Sequence, residues 1–339
     1  MLSVIVPALN EERNIEPAAR RIRDILLDAG ISYELIFVDD GSRDATWERI
    51  CRCRREDPRI AGVRLSRNFG KEAAILAGLE KACGECSVVL DCDLQHPPET
   101  IVEMVRLWED GVMVVEGVKR SRGKENPVHG FFSRLFYRIM SAATHVDMAR
   151  ASDFRLLDRK VVQELLAMPE RNTFFRALSS WMGYRTATVE YDVAERLHGK
   201  SKWSVSKLVR YAIQNMISFS SAPLRFIACL SAVFLLLTFI LGVQTLVRFL
   251  MGHSVDGFTT VILLILMLGT LLLVSQGIMS LYLAKMFEEI KARPRYLVAA
   301  YLAPASSPES EEEGNSCRPR EDEGPAESGR TEERKEENA

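Results

Sequence analysis

The chain has 339 residues, with 44 Lys and Arg against 46 Asp and Glu and a net charge of −2. That length leaves room for a full α/β domain with further parts, and so even a balance gives no reason to expect a nucleic-acid partner. The charge is unevenly placed, however. Residues 305–339 are rich in Glu, Arg, Ser, Pro and Gly and nearly lack large apolar side chains, so they exclude a second core and predict a disordered acidic tail.

Leu2–Pro7 is an apolar strand that leads into the polar loop Ala8-Leu9-Asn10-Glu11-Glu12, so no secretory signal peptide is expected. Residues 14–28 carry Ile15, Ala18, Ala19, Ile22, Ile25 and Leu26 at helical spacing, and Gly30 closes that helix. Tyr33–Val38 is a second strand ending in Asp39-Asp40-Gly41-Ser42, and a helix follows from Asp44 to about Glu56. Ile60–Leu65 is a third strand, Ser66–Gly70 a loop and Lys71–Ala82 a helix. Val88–Leu90 is a fourth strand, with a helix opening at Pro97-Pro98, where proline is tolerated in a first turn. Val112–Val118 is a strand followed by the basic loop Lys119–Lys124. Ser152–Leu157 reads as strand-like, Lys160–Ala167 as a helix and Thr186–Val193 as a strand. Strands alternating with helices of this length predict a mostly parallel sheet wound with helices.

The polar clusters fall at strand ends, where an open α/β sheet binds its ligands. Asp91 and Asp93, one residue apart after the fourth strand, form with Gln95 a hard oxygen cluster suited to Mg²⁺ or Mn²⁺ and, through the ion, to a phosphate. An Asp-x-Asp alone also fits two ordinary loop acids. No Gly-x-Gly-x-x-Gly follows the first strand and there is no Walker A loop, so the acids suggest a nucleotide held through base, ribose and metal-bound diphosphate. Of the seven cysteines, Cys83 and Cys86 form a Cys-x-x-Cys, and Cys51 and Cys53 lie upstream. Neither spacing matches a zinc ribbon, and reduced thiols in a cytosolic domain are expected.

Phe226–Val247 and Phe258–Ala284 are uncharged and each exceeds the ~20 residues that cross a bilayer. Lys200, Lys202, Lys207, Arg210 and Arg225 precede the pair, and Lys285, Lys291, Arg293 and Arg295 follow it, so both flanks are expected on the cytoplasmic side. Helices over 131–148 and 204–219 mix apolar and basic positions. Each could pack in a core or lie on a membrane surface. The expected organisation is a cytoplasmic catalytic domain over 1–203, a juxtamembrane amphipathic helix over 204–224, a two-span hairpin over 225–285, a basic segment over 286–304 and the tail over 305–339.

Six motifs recur in one order: Val4–Glu12, Val38–Ser42, Ser66–Lys71, Asp91–Gln95, Ser152–Leu156, and Arg196 with Gly199, Ser201 and Lys202. Together with the two late apolar stretches they closely resemble the polyprenyl-phosphate glycosyltransferases of glycosyltransferase family 2, over roughly residues 2–300. The resemblance implies a GT-A, Rossmann-like fold, and inverting transfer of a sugar from a nucleotide-sugar to a polyprenyl phosphate. It implies residence in a bacterial plasma membrane and, through the family alone, a homo-oligomer such as a tetramer. Carried over by motif, Pro7, Leu9, Glu11, Val38, Asp40 and Cys92 would hold the nucleotide-sugar. Asp91, Asp93 and Gln95 would bind Mg²⁺ or Mn²⁺, and Arg120, Arg196 and Lys202 would bind phosphates. Asp153, Asp93 and Arg196 would carry the catalysis.

Two positions depart from the family pattern. Relatives commonly place an acid where His96 stands, and His96 is expected to be a helix cap or surface residue, with contact to the metal as the alternative. Leu9 replaces a frequent aromatic residue of the mannose synthases and argues against GDP-mannose. UDP-glucose is the expected donor by analogy with the bacterial branch, with mannose or an aminosugar as alternatives. Asp153 takes the place of the family's proposed base. A phosphate monoester has a second pKa near ~6 and needs no base at neutral pH, so Asp153 is expected to orient the acceptor or the sugar hydroxyls, with a structural pairing to Arg155 as the alternative. Arg176–Trp181 does not match the Gln-x-x-Arg-Trp of processive synthases, and a membrane scaffold with a dead site is opposed by the intact Asp40, Asp91 and Asp93.

Overall fold

The computed structural model describes residues 1–120, 152–170, 175–192, 222–251 and 258–304. The first half alternates as expected: β1 (Leu2–Ala8), α1 (Ile15–Asp28), β2 (Tyr33–Asp39), α2 (Thr46–Glu56), β3 (Ile60–Leu65), α3 (Lys71–Lys81), β4 (Cys86–Val89), α4 (Thr100–Glu109) and β5 (Val114–Lys119). There follow β6 (Arg155–Asp158), α5 (Arg159–Ala167), α6 (Phe175–Trp181), β7 (Thr186–Tyr191), α7 (Ala222–Leu250), α8 (Phe258–Ile290) and β8 (Val298–Leu302). The expected helices 131–148 and 204–219 and the tail 305–339 lie outside the described residues.

The eight strands form one sheet in the order β7-β5-β6-β4-β1-β2-β3-β8. β1 pairs in parallel with β2 and β4, β2 with β3, and β5 with β7, while β6 is antiparallel to both β4 and β5. β1 and β2 are buried along their whole length, which explains their unbroken apolar character. Successive side chains face opposite layers. Leu2, Val4 and Val6 join α1, α2 and α4, and Ile5 joins α3, α5 and α6 on the other face. In α1 the residues Ile15, Ala18, Ala19, Ile22 and Leu26 are buried, and each large one contributes about 1.5–3 kcal/mol.

α3 lies so close to the sheet that a Cβ on Gly78 would meet Ile5 Cγ2 at 2.3 Å and Val38 Cγ2 at 3.0 Å. Gly78→Ala is therefore expected to destabilise the domain by about 1–3 kcal/mol, despite alanine's higher helix propensity, and a urea melt measures it.

The end of the chain departs from expectation. Residues 286–304 are not simply a basic segment, because Val298–Leu302 returns to the sheet as β8, antiparallel to β3. Leu302 and Ala303 are buried there, Arg54 Nε donates to Ala303 O at 2.8 Å, Tyr296 bonds Glu80 and Arg295 bonds Met168 O. The strand covers an otherwise open edge. Both late apolar stretches are helical. Met267–Ile290 is long and apolar enough to cross a membrane, and Phe226–Leu241 is a shorter apolar run, among the described residues.

Candidate active site

The exit edge of the parallel strands carries three loops tied to one another by side chains. After β1, Asn10 takes a left-handed φ of 56°, tolerable for asparagine. Its N–H donates to Ser42 Oγ at 2.9 Å, and its own Oδ1 accepts from Arg43 N at 3.0 Å. Glu11 N donates to Thr46 Oγ1 at 2.9 Å, locking the first loop to the start of α2. After β2, Asp39 Oδ1 accepts from Ser42 N at 2.8 Å. Asp40 accepts from Phe69 N at 2.7 Å and Gly70 N at 2.9 Å, so it holds the loop before α3 with both oxygens. Burial raises the pKa of Asp40 and these two amides oppose the rise. Gly41 has φ +68°, and a Cβ there would meet Arg67 C at 2.4 Å. Gly41→Ala is expected to push the two loops apart and raise the KM for the nucleotide-sugar with little change in far-ultraviolet circular dichroism, a pairing that steady-state kinetics and spectra check.

Beside these loops stands the acid turn after β4. Leu94 N donates to Asp91 O at 3.3 Å, Leu94 has φ 53°, and Asp93 Oδ1 accepts from Gln95 N at 3.1 Å. A left-handed leucine costs about 1–2 kcal/mol, held here by packing of its side chain against the core. Lys71, first residue of α3, places its Nζ 2.6 Å from Asp91 Oδ1 and 2.7 Å from Asp153 Oδ2. Burial disfavours the Asp91 carboxylate, but Lys71 outweighs it and holds the pKa below the ordinary value. Asp153, next to β6, is buried and gripped by both oxygens through Arg176, whose guanidinium reaches Oδ2 at 2.9 Å and also bonds Oδ1 through Nε. Burial opposes its charge as well, and Lys71 and Arg176 together hold its pKa far below the carboxylate range.

Several expectations are corrected by this geometry. Asp153 does not pair with Arg155. The fully buried Arg155 instead lies 3.1 Å from Glu116 and donates to Ser152 O, Arg176 O and Ser180 Oγ at 3.0–3.1 Å. His96 is neither a cap nor a surface residue. It is 5% exposed, stacked on Phe154 at 5.2 Å and edge-on to Tyr191 at 5.4 Å, with Nδ1 3.9 Å from Asp91 Oδ2. Burial lowers its pKa, against the pull of Asp91, and so favours the neutral ring.

The Cys92 thiol lies in the core, and the side chains of Pro7 and Val38 are buried in the sheet, so these three offer a ligand only main-chain atoms. Arg120 stands at the surface, 3.2 Å from Asp192 and 3.5 Å from Glu190. Leu9 is exposed at the edge, and Glu11 Oε2 accepts from Asn14 Nδ2 at 2.5 Å. Arg196 and Lys202 lie outside the described residues.

Sequence reasoning missed Lys71 and Arg176 as site residues. Lys71 closes the Ser66–Lys71 motif and so left a signal, but α6 had none. Glu72 joins the two helices, its Oε2 accepting from Phe175 N at 3.0 Å. Burial, and Asp153 nearby, push the Glu72 carboxyl up from 4.5 to about 7. A raised carboxyl pKa means that the fold keeps a proton the unfolded chain has already lost. The contribution of Glu72 to stability therefore falls as pH rises from 4.5 to about 7. Glu72→Gln keeps the acceptor oxygen and is expected to flatten that fall, as read by thermal melts at several pH values.

The donor set can be tested for a divalent ion. Asp91 and Asp93 are hard carboxylates with Gln95 beside them, a set that fits Mg²⁺ or Mn²⁺ sharing its remaining positions with substrate phosphates and water. Among the described residues no three His, Cys, Asp or Glu side chains converge into a cage of their own.

A mixed, mostly parallel sheet with linked loops and an Asp-x-Asp at its exit edge is a GT-A-like arrangement. The glycosyl transferase family 2 profile matches residues 3–166. An uncharacterized glycosyltransferase of Synechocystis sp. is 38% identical over 88% of this chain and 94% of its own length. The bactoprenol glucosyl transferase of Shigella phage SfII is 32% identical over 88% and 97%. Among solved structures, glucosyl-3-phosphoglycerate synthase of Mycobacterium tuberculosis, in complex with Mn²⁺, UDP and glucosyl-3-phosphoglycerate, is 24% identical over 65% of this chain and 80% of its own, with a TM-score of 0.46. The chain belongs to glycosyltransferase family 2, and it is an enzyme that transfers a sugar.

Proposed function

We propose that the protein transfers a hexose, with inversion, from a nucleotide-sugar to a membrane polyprenyl phosphate, with UDP-glucose as donor and undecaprenyl phosphate as acceptor. The observation that carries this reading is the position of the apolar helices relative to the acids. β8 runs antiparallel to β3, so its first residue lies at the edge that bears Asp91 and Asp93, and Ser66 N donates to Leu297 O at 2.9 Å there. Only residues 291–297 separate α8 from that edge, a reach of at most about 25 Å. The resemblance to bactoprenol glucosyl transferases supports the lipid acceptor and the glucosyl group.

The same strand bears on topology. β8 shares a sheet with β1–β7, so a chain that leaves that sheet and returns to it crosses a bilayer an even number of times. If α8 spans, α7 supplies the second crossing, and the two helices touch. Lys285, Lys291, Arg293 and Arg295 near the return support a cytoplasmic position for the domain.

In the reaction an oxygen of the acceptor phosphate forms a bond to the anomeric carbon. The bond from that carbon to the nucleoside diphosphate breaks, and its electron pair leaves on the β-phosphate oxygen. The acceptor dianion brings no proton to be removed. Asp91, Asp93 and Gln95 would hold Mg²⁺ or Mn²⁺, which supplies charge against the departing diphosphate. Leu9, Glu11 and the main chain of Pro7, Val38 and Cys92 line the nucleotide side, with Asp40 fixing the loop beneath it. Arg196 and Lys202 add positive charge from the segment after β7.

The test is to offer radiolabelled UDP-glucose, UDP-galactose, GDP-mannose and an aminosugar nucleotide in turn, with undecaprenyl phosphate, to the purified full chain. Label is expected in the lipid phase from UDP-glucose, lost with a chelator and restored by Mn²⁺ or Mg²⁺. Label from another donor alone, or none with any lipid phosphate, overturns the reading.

A further inference from the structure

Three side chains from separate parts of the sequence converge beside Asp91. The first turn of α3 supplies Lys71, α6 supplies Arg176, and the residue before Phe154 supplies Asp153 between them. Their exposures differ in a telling way: the Asp153 side chain is 5% exposed, while those of Arg176 and Lys71 are 28% and 40% exposed. The anion is therefore the floor, and the cations stand over it toward the sheet edge. Both cations are fixed from behind. Glu72 ties the α3 turn to Phe175 N at 3.0 Å, and Arg155 donates to Arg176 O at 3.0 Å from the core. Lys119, at the exit of β5, lies within electrostatic range of Arg176 and Asp91.

A buried carboxylate held bidentately by one cation and by an ammonium is poorly disposed to take a proton and well disposed to aim positive charge. A planar guanidinium and an ammonium placed side by side are the chemistry that receives a phosphate dianion.

We propose that Lys71 and Arg176, aligned by Asp153 as a positioning residue, form the receptor for the acceptor's phosphate monoester. This rests on the proposed transfer to a polyprenyl phosphate. The pair holds the attacking oxygen next to Asp91. Lys71 has three donors. Asp91 and Asp153 take two, and the acceptor takes the third.

The test uses the full chain in detergent, with farnesyl phosphate as a soluble acceptor and UDP-sugar as donor. Lys71→Met and Arg176→Met are each expected to raise the acceptor KM about ten- to hundredfold, while the donor KM stays within about twofold. Arg176→Lys keeps the charge without the fork and is expected to fall between. Calorimetric titration of farnesyl phosphate without donor should show the same order of weakening. UDP titration should not. This binding readout separates a phosphate receptor from a merely structural pair. A donor KM that rises while the acceptor KM holds assigns the cations to the diphosphate and overturns the proposal. So does an unchanged farnesyl phosphate affinity in folded variants. If the wild-type chain transfers sugar to no lipid phosphate, the proposed function itself has failed. If wild type transfers and the acceptor constants do not move, only the receptor assignment has.

Discussion

Asp153→Asn is expected to lower sugar transfer about 10²–10³-fold, by the same factor at every pH where the acceptor phosphate is a dianion. The carboxylate lies between Lys71 at 2.7 Å and Arg176 at 2.9 Å, and these cations hold it ionised far below the usual range. Removing the charge leaves both cations without their common anchor, so the loss is one of alignment and does not depend on proton concentration. A loss confined to low pH would sink this view. There the acceptor phosphate carries a proton that something must remove, and Asp153 would be that base. Initial rates for wild type and variant on one buffer series decide between them. The acceptor KM should rise with the fall in rate, because the pair that meets the phosphate is no longer held.

The second large effect concerns stability. Arg155→Met is expected to cost about 3–5 kcal/mol, the range found when one partner of a buried ion pair is deleted. Arg155 is 0% exposed, and its guanidinium serves Glu116 at 3.1 Å, two carbonyls and the hydroxyls of Ser179 and Ser180. Methionine fills much of the volume but leaves those acceptors unmatched in a dry core. α6 should lose its hold on the sheet, and Arg176 should move with it. A urea titration followed by fluorescence measures the first consequence, and the acceptor KM the second. Glu116→Gln, which keeps a hydrogen-bonding oxygen, should cost less.

Much of this architecture was legible in the residues. β3 follows the predicted Ile60–Leu65, α1 begins one residue after its expected start, and the acid clusters do fall at one edge of the sheet. These succeed because a buried parallel strand needs an unbroken apolar run and a covering helix needs a 3.6-residue period. What escaped was of other kinds. β8 is a short Val-Ala-Ala-Tyr-Leu run after a long apolar helix, and nothing local shows that its partner is β3, more than two hundred residues earlier. α6 has seven residues, too few for a period to declare itself. The link from Lys71 to Asp153 spans 82 positions, and that from Arg176 to Asp153 spans 23, so neither is a motif. His96 is polar, and polarity alone predicts exposure. Stacking on Phe154 makes its imidazole a core ring.

The return of β8 also sets a timetable for synthesis. The apolar helices are an insertion within the sheet domain, and the sheet gains its last strand only after both have been made. At about 5–20 residues per second, roughly 10–50 s pass between completion of β3 and arrival of its edge partner. Through that interval β3 is a nascent open edge. A fragment cut before α7 is for the same reason an unfinished domain, with Gly62–Leu65 exposed to pairing with its copies. A shortened chain should keep residues 291–304, so that the last strand can still pair with β3.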